Sequence, residues 1–380
     1  MRKFVILILL FSFFVSAEAA QHKGLWVSVF SDRRPLYSKK GALELIQAAK
    51  AAGIDEIYLQ VYQSGNAYYN SALCEKSKFD QIYKSCGFDP ILFLLREARA
   101  NNIKVFAWIN VLSLGKNKDA SIIKKFDDSI LTRDQYLKTS VNDEAHDLDK
   151  YYQRENQLFL DPGDPRVRQY TLDIALEIMT KYPLFSGVHL DYIRYPAIVP
   201  FVHGSRFNKF GLTYGYNRIS LGRFNKKTGL DPLAKNFSDN QSIQWDDWKR
   251  SQVTELVEEV SRQVKARSKK ALVSCAVISG PERSYVSFFQ DWPLWLEKGI
   301  IDYVVLMDYS RDSRLVKEIA ASALGLRGNG KVFIGLGLFL MKDDPGQFLS
   351  QYRSISSLNP DGIVIFSYDD LSAEVIRSIK

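Results

Sequence analysis

Eight short apolar runs, each followed by a stretch of helical periodicity, constrain the fold of this chain more than any other feature. The runs are rich in β-branched and aromatic residues and are apolar almost without interruption, a pattern typical of parallel strands covered on both faces. They predict strands at Gly24–Phe30, Glu56–Tyr62, Lys104–Asn110, Gly187–Ile193, Ala271–Ile278, Asp302–Asp308, Lys331–Leu338 and Gly362–Tyr368.

Amphipathic stretches with a 3.6-residue period separate these runs. Two of them open with an Asp-Pro pair, Asp89–Pro90 and Asp164–Pro165. Aspartate is a good N-cap and proline fits the first helical turn, so both pairs indicate helix starts. The predicted helices are Ala42–Ala52, Pro90–Ala100, Arg166–Lys181, Trp245–Arg267, Trp292–Lys298, Arg314–Leu324, Gly346–Ser354 and Ala373–Ile379.

Eight strands that each precede a helix predict an α/β fold, a single (β/α)8 TIM barrel. A doubly wound open sheet is the alternative, but it has fewer strands and often a G-x-G-x-x-G loop that is absent here. Two connections are long, Val111–Asp164 after the third strand and Ala197–Ile243 after the fourth. Both follow strands, so both are expected on the C-terminal face, where barrel active sites lie.

The N-terminus has the pattern of a secretory signal peptide. Arg2 and Lys3 precede the apolar run Phe4–Val15, and Ala17–Ala19 forms an A-x-A cleavage pattern. We expect residues 1–19 to be a signal peptide, cleaved after Ala19 or the next residue, and 20–380 to be the barrel. The predicted location is periplasmic or secreted. The apolar run is short for a bilayer and no cysteine lies near the cleavage point, so no stable membrane anchor is expected afterwards.

Composition excludes few classes of protein. The chain is 46% hydrophobic and 25% charged, with a formal net charge of +8. The basic residues are dispersed, which argues against nucleic acid as a partner, although a mildly basic surface tolerates an anionic polymer. In an oxidising compartment Cys74 and Cys86 either bridge a short loop or stay free, and Cys275 fits a strand core.

Two aspartates end predicted strands. Asp191 lies near the end of the fourth strand in GVHLDYIRYP, and Asp308 closes the sixth in VVLMDYS. A carboxylate in an apolar run is costly to bury unless it is paired or functional. Two such groups on one barrel rim suit hydrolysis of a glycosidic bond, which typically uses a pair of carboxylates roughly 5–10 Å apart. The alternative for each is a structural cap or a salt bridge, with Arg194 or Arg311 as the partner.

Other residues near strand ends fit a sugar-binding cleft, because aromatic faces stack on sugars and amides bind hydroxyls. Arg194 is expected either to bind an anionic group or to orient Asp191, and His189 either to tune Asp191 or to pack in the core. The four histidines lack metal-ligand spacing, so neither a metal nor a cofactor is predicted. The predicted substrate-binding residues are Gln60, Tyr62, Trp108, Asn110, His189, Tyr192, Arg194, Tyr195 and Tyr309.

Four segments of the chain carry a family resemblance. They are KGLWVSVF, FLDPGDPRVRQYTLDIALEIMTKYPLFSGVHLDYIRYP, WDDWKRSQVTELVEEV and WLEKGIIDYVVLMDY. The chain resembles the glycosyl-hydrolase-like 10 family of exported bacterial proteins. The resemblance implies a (β/α)8 barrel, glycoside hydrolase activity and, as partner, a polysaccharide such as the N-acetylated glycan strands of peptidoglycan.

The fourth strand departs from a related pattern. GVHLDYIRYP is similar to the D-G-x-D-x-D-x-E-YP strand of family 18 chitinases, but Ile193 stands where their catalytic glutamate would be. The pair Asp191 and Asp308 instead resembles that of barrels with the nucleophile on the fourth strand and the acid on the sixth. This resemblance implies Asp191 as the nucleophile and Asp308 as the acid/base, with exchanged roles or an inverting mechanism as alternatives. A barrel that binds glycan without cutting it, and a deacetylase, are the competing hypotheses for function.

Overall fold

The computed structural model describes residues 21–144, 152–200 and 211–380. The predicted signal peptide, as well as His146 and His203, lies outside the described residues. Among the helices that are described, none combines the length and the apolar character needed to cross a membrane.

Eight parallel strands form a closed barrel, which confirms the predicted fold. Each strand pairs with its sequence neighbours, and the first strand pairs with both the second and the last, so that Leu25 lies between Ile57 and Ile365. The strands are β1 His22–Val27, β2 Glu56–Gln63, β3 Lys104–Asn110, β4 Gly187–Asp191, β5 Leu272–Ile278, β6 Tyr303–Met307, β7 Lys331–Gly337 and β8 Gly362–Phe366.

One principal helix follows each strand. Asp89 and Asp164 cap two of them, accepting hydrogen bonds from the N–H groups of Leu92 and Arg166 at 3.0 and 2.9 Å, as the Asp-Pro pairs predicted. The helices are α1 Lys39–Ala51, α2 Pro90–Ala100, α3 Pro165–Lys181, α4 Asp239–Arg267, α5 Trp292–Glu297, α6 Ser313–Leu324, α7 Pro345–Ser356 and α8 Ala373–Ile379.

The long connections after β3 and β4 contain structure of their own. The two connections meet where Tyr152–Arg154 pairs antiparallel with Ile198–Pro200. Within the connection after β3, Ser113–Gly115 pairs antiparallel with Leu158–Phe159. The remaining elements are the strand Asn66–Ala67, the helices Ser77–Cys86, Ser121–Phe126, Arg218–Thr228 and Pro281–Ser287, and the 3-10 turns Asp128–Ile130, Asn142–Glu144, Leu338–Met341 and Tyr368–Asp370.

The core has two layers because side chains alternate across each strand. Outward residues, such as Val304 and Leu306 of β6, pack against the helices. Inward residues fill the barrel with large rings, and this inner cluster consists of Trp26, Tyr58, Phe106, Trp108, Ala276, Tyr303, Val305, Phe333 and Val364. The barrel is thus a packed core whose open end at the strand C-termini is the place for a site.

The three cysteines are free. Cys74 lies 3.3 Å from the Tyr170 hydroxyl and Cys86 is 2.9 Å from the carbonyl oxygen of Tyr37, so the two are not bridged. Cys275 is fully buried in β5, as predicted.

Candidate active site

A cleft of about 280 Å³ opens at the C-terminal end of the barrel. Strand ends from most of the barrel contribute to it, and its lining mixes aromatic rings with a few polar groups, as small-molecule sites do. The lining residues are Trp26, Ser28, Phe30, Gln60, Trp108, Asn110, Asp191, Tyr192, Arg194, Ala276, Met307, Tyr309 and Phe366.

Asp191 is the carboxylate that lines this cleft. Its Oδ2 accepts a 3.0 Å hydrogen bond from the indole N–H of Trp108, and its Oδ1 accepts one of 2.7 Å from the N–H of Tyr192. The side chains of Trp108 and Asp191 belong to neighbouring strands, and Tyr192 adopts a φ of 52°, which turns the chain at the end of β4. A left-handed non-glycine residue is uncommon and frequent at functional sites. The carboxylate is therefore held in one orientation.

Burial raises the pKa of Asp191 to about 6. The hydrogen bonds from Tyr192 and Trp108 and the charge of Arg194 oppose this shift, while the charge of Glu155 adds to it. Desolvation dominates because the carboxylate is only 7% exposed. A carboxyl group with such a pKa exchanges its proton close to neutral pH.

Two amides form a polar wall of the cleft. Gln60 donates a 3.2 Å hydrogen bond to Asn110, and its own carbonyl oxygen accepts from the hydroxyl of Ser28 and from the N–H of Val29. These contacts join β1, β2 and β3, and they fix the amides where a substrate hydroxyl or acetamido group can reach them.

His189 lies beneath the cleft and points into the barrel, on the same side as Asp191. The indole N–H of Trp26 donates to its Nε2 at 3.1 Å, so Nδ1 carries the proton and donates to the Ser274 hydroxyl at 2.9 Å. Burial lowers the pKa of His189 to about 3. The ring is therefore neutral and supports Trp26 rather than Asp191.

Arg194 lines the cleft with its charge already paired. Its guanidinium makes two hydrogen bonds to Glu155, at 2.9 and 2.6 Å, and stacks over the ring of Tyr192 at 4.9 Å. Glu155 also accepts from the N–H of Ala197 at 2.8 Å. The pair links the connections that follow β3 and β4. Of the two roles predicted for Arg194, this geometry favours organising the rim around Asp191.

Besides His189, three further predicted site residues do not line the cleft. Tyr62 falls in the outer layer because a bulge after Gln60 shifts the register of β2 against β3, which turns the side chain away from the barrel. Tyr195 is buried against Phe289, with ring centroids 5.4 Å apart.

Asp308 is the third of these residues. Tyr303, Val305 and Met307 of β6 face the barrel or the cleft. Side chains alternate along a strand, so the side chain at position 308 is expected on the outer side of the barrel. The N–H of Asp308 donates to the carbonyl of Gly335, its Oδ2 has no hydrogen-bond partner, and burial raises its pKa to about 7. Asp308 is not among the residues that line the cleft with Asp191.

The sequence analysis missed several residues of the cleft. Ser28, Met307 and Phe366 share the inward parity of their strands, so counting in twos from Trp26, Val305 and Val364 would have found them. Glu155 gave no local signal, because its role depends on a contact with a residue 39 positions away.

One cluster among the described residues has the composition of a metal site. Its members are His22, Asp55 and Glu56, at the N-terminal end of the barrel and away from the cleft. His22 Nδ1 lies 2.7 Å from Asp55, and the ammonium group of Lys104 lies 3.3 Å from Glu56. Protein cations already neutralise much of this cluster.

The fold and its cleft define a (β/α)8 barrel of the kind used by glycosidases. The chain belongs to the glycosyl hydrolase-like 10 family, whose model matches residues 21–323. This confirms the family suggested by the sequence motifs.

Two curated relatives are named as glycosyl hydrolases. DigH of Escherichia coli (strain K12) is 23% identical over 74% of this chain and 60% of its own length. YngK of Bacillus subtilis (strain 168) is 21% identical over 71% of this chain and 49% of its own length. The chain therefore spans about half to three fifths of these relatives.

Solved glycosidases share the fold. The catalytic domain of a β-amylase from Paenibacillus polymyxa superposes with a TM-score of 0.55 at 13% identity, over 95% of each chain. A β-galactosidase from Marinomonas ef1 gives a TM-score of 0.60 at 10% identity, over 94% of this chain and 58% of the other.

Proposed function

We propose that this protein hydrolyses glycosidic bonds in an N-acetylated glycan of the peptidoglycan type. The observation that carries the proposal is Asp191, a buried carboxylate held by two hydrogen bonds among the aromatic rings of the cleft. The cleft lining includes the rings of Tyr309 and Phe366, which are only partly buried and can contact sugar rings. The family membership and the names of the two relatives support the same reaction.

Asp191 acts in this proposal as the general acid. A general acid must be protonated near the working pH, and burial raises the pKa of Asp191 to about 6. The protonated carboxyl group donates its proton to the oxygen of the leaving sugar as the glycosidic bond breaks. The resulting carboxylate then takes a proton from a water molecule whose oxygen bonds to the anomeric carbon, as the nucleophile of the first step leaves that carbon. The nucleophile role assigned from the sequence fits this raised pKa less well.

The substrate supplies the nucleophile. Among the described residues that line the cleft, Asp191 is the only carboxylate, whereas a two-carboxylate mechanism needs a second one. Glycosidases that act on N-acetylated sugars include families in which the acetamido oxygen attacks the anomeric carbon instead. Gln60 and Asn110 are placed to orient that acetamido group. An N-acetylated glycan therefore suits this cleft better than an unmodified one.

An envelope location supports this substrate. We propose that the protein is exported by the signal sequence at its N-terminus and meets the glycan in the periplasm or outside the cell. The formal net charge of +8 favours association with an anionic polymer.

The test is turnover of purified peptide-free glycan strands, with products read by mass spectrometry. We expect Asp191→Asn to lose at least about 10²-fold in activity, the scale of general acid catalysis. Asp308→Asn is the matched control, since it removes a buried carboxylate outside the cleft, and it is expected to stay close to wild type. Equal losses in both variants would contradict the assignment of Asp191.

The proposed attack by the acetamido oxygen of the substrate can be tested separately. A thiazoline analogue of the cyclic intermediate is expected to inhibit competitively, and strands with the N-acetyl groups removed are expected to resist cleavage. A wild-type protein that binds the strands and never cuts them would support the alternative function, a glycan-binding barrel.

A further inference from the structure

The aromatic wall of the cleft continues beyond it. Phe339, in the turn that follows β7, does not line the cleft but contacts two rings that do. Its ring centroid lies 5.7 Å from that of Tyr309 and 5.8 Å from that of Phe366, at 89° and 83° to them. Phe339 remains 39% exposed although it is held by these rings.

Glycines in β7 make room for these rings. A Cβ atom on Gly337 would stand 2.9 Å from the ring of Phe339 and 3.2 Å from that of Tyr309. A Cβ atom on Gly335 would stand 2.7 Å from the ring of Trp26. The two glycines of β7 therefore allow the rings of Trp26, Tyr309 and Phe339 to lie directly against the strand. This close packing holds Phe339 in position.

A second exposed ring follows β1, the strand on the other side of β8. Phe30, which follows β1, is 65% exposed and lines the cleft, and its N–H donates to the Ser28 hydroxyl at 3.1 Å. Because β8 lies between β7 and β1 in the barrel, Phe339 and Phe30 follow the two strands that neighbour β8, which ends at Phe366. We call these three residues the aromatic ridge. It lies on the side of the barrel opposite β4, which carries Asp191.

The cleft by itself is small for a polymer. Its volume of about 280 Å³ is just below the usual range for ligand sites, which begins at about 300 Å³. A glycan chain that places one bond at Asp191 must therefore lay its other sugars outside the cleft. Exposed rings next to the opening are the surfaces that sugar faces prefer.

We propose that the aromatic ridge binds successive sugars of one glycan chain, so that the protein grips an internal stretch of the polymer and cuts within it. The inference rests on the proposed function, since it adds the chain length and the mode of attack to the same site. Phe339 and Phe30 serve as sugar platforms on the two sides of the sugar that stacks on Phe366.

The experiment measures affinity and cleavage with N-acetylglucosamine oligosaccharides from the disaccharide to the hexasaccharide. Phe339→Leu keeps apolar bulk but removes the flat face, and Phe339→Tyr keeps the face. We expect Phe339→Leu to weaken binding of the hexasaccharide about five-fold, the scale of one aromatic contact, while disaccharide binding changes little. Phe30→Leu also alters the cleft lining and is expected to weaken binding of both oligosaccharides. Phe339→Tyr is expected to behave like wild type.

Leu326→Ala is the surface control, because Leu326 is also 39% exposed but follows α6, at the opposite end of the barrel. Equal weakening for short and long oligosaccharides in Phe339→Leu, or no weakening in either phenylalanine variant, would overturn the ridge. Binding is measured on Asp191→Asn as well as wild type. Length-dependent binding without any cleavage would keep the ridge and reject the proposed hydrolysis, so the two failures are distinguishable.

Discussion

The indole N–H of Trp108 donates a 3.0 Å hydrogen bond to Oδ2 of Asp191, and the two residues lie on adjacent strands, β3 and β4, at the open end of the barrel. A hydrogen bond to the ionised carboxylate stabilises the charged form, whereas burial opposes it. The balance of these effects sets when Asp191 holds its proton, and pH dependence is therefore the most direct test of its role.

The first prediction concerns the wild-type protein. As general acid, Asp191 is active when protonated, so kcat/KM is expected to fall about tenfold per pH unit above a pKa of about 6. A profile on a soluble oligosaccharide between pH 4 and 9 measures this. Activity that rises through the same range would assign Asp191 as nucleophile or base instead.

Trp108→Phe is expected to shift the fall in kcat/KM to higher pH. The substitution keeps an aromatic ring in the cleft but removes the N–H that favours the carboxylate, so the pKa of Asp191 rises. The measurement is the same kcat/KM profile. If kcat/KM falls at the same pH as in the wild type, a group other than Asp191 causes the fall.

Glu155→Gln is expected to shift the fall in kcat/KM to lower pH. The negative charge of Glu155 raises the pKa of Asp191, and its removal also frees the positive charge of Arg194 to act on that carboxylate. The pKa of Asp191 therefore falls and activity is lost at lower pH. We expect a lower melting temperature as well, because Arg194 is only 7% exposed and loses its ionic partner. An unchanged profile in a folded variant would contradict the electrostatic coupling.

The stability of Asp308→Asn is expected to depend on pH. The folded-state pKa of Asp308 is raised to about 7 by burial, so the native state binds this proton more tightly than the unfolded state does. Ionisation of Asp308 lowers the free energy of unfolding of the wild type progressively between about pH 4 and pH 7, by about 4 kcal/mol at most. An asparagine side chain has no carboxyl group to ionise, so Asp308→Asn does not lose stability in this way.

The gain in melting temperature of Asp308→Asn over wild type should therefore be larger at pH 8 than at pH 5. Thermal unfolding at the two pH values measures it. A constant difference would show that the carboxyl group does not titrate in this range.

The sequence determined the barrel and the position of one catalytic candidate. The apolar runs predicted β3 and the start of β2 to the residue, because parallel strands covered on both faces need continuous apolar sequence. Asp191 stood out because a carboxylate in such a run is costly without a function. Its side of β4, shared with His189, followed from simple alternation.

Only the tertiary structure decided which strand-end residues face the cleft. A bulge after Gln60 turned Tyr62 outward, and the parity of β6 kept Asp308 out of the cleft. The pairing of Glu155 with Arg194 arose from the packing of two long connections against each other. Local sequence sets the period of a strand, but bulges and contacts between distant segments are selected by the energy of the whole packed molecule, so these features had no signal in the runs themselves.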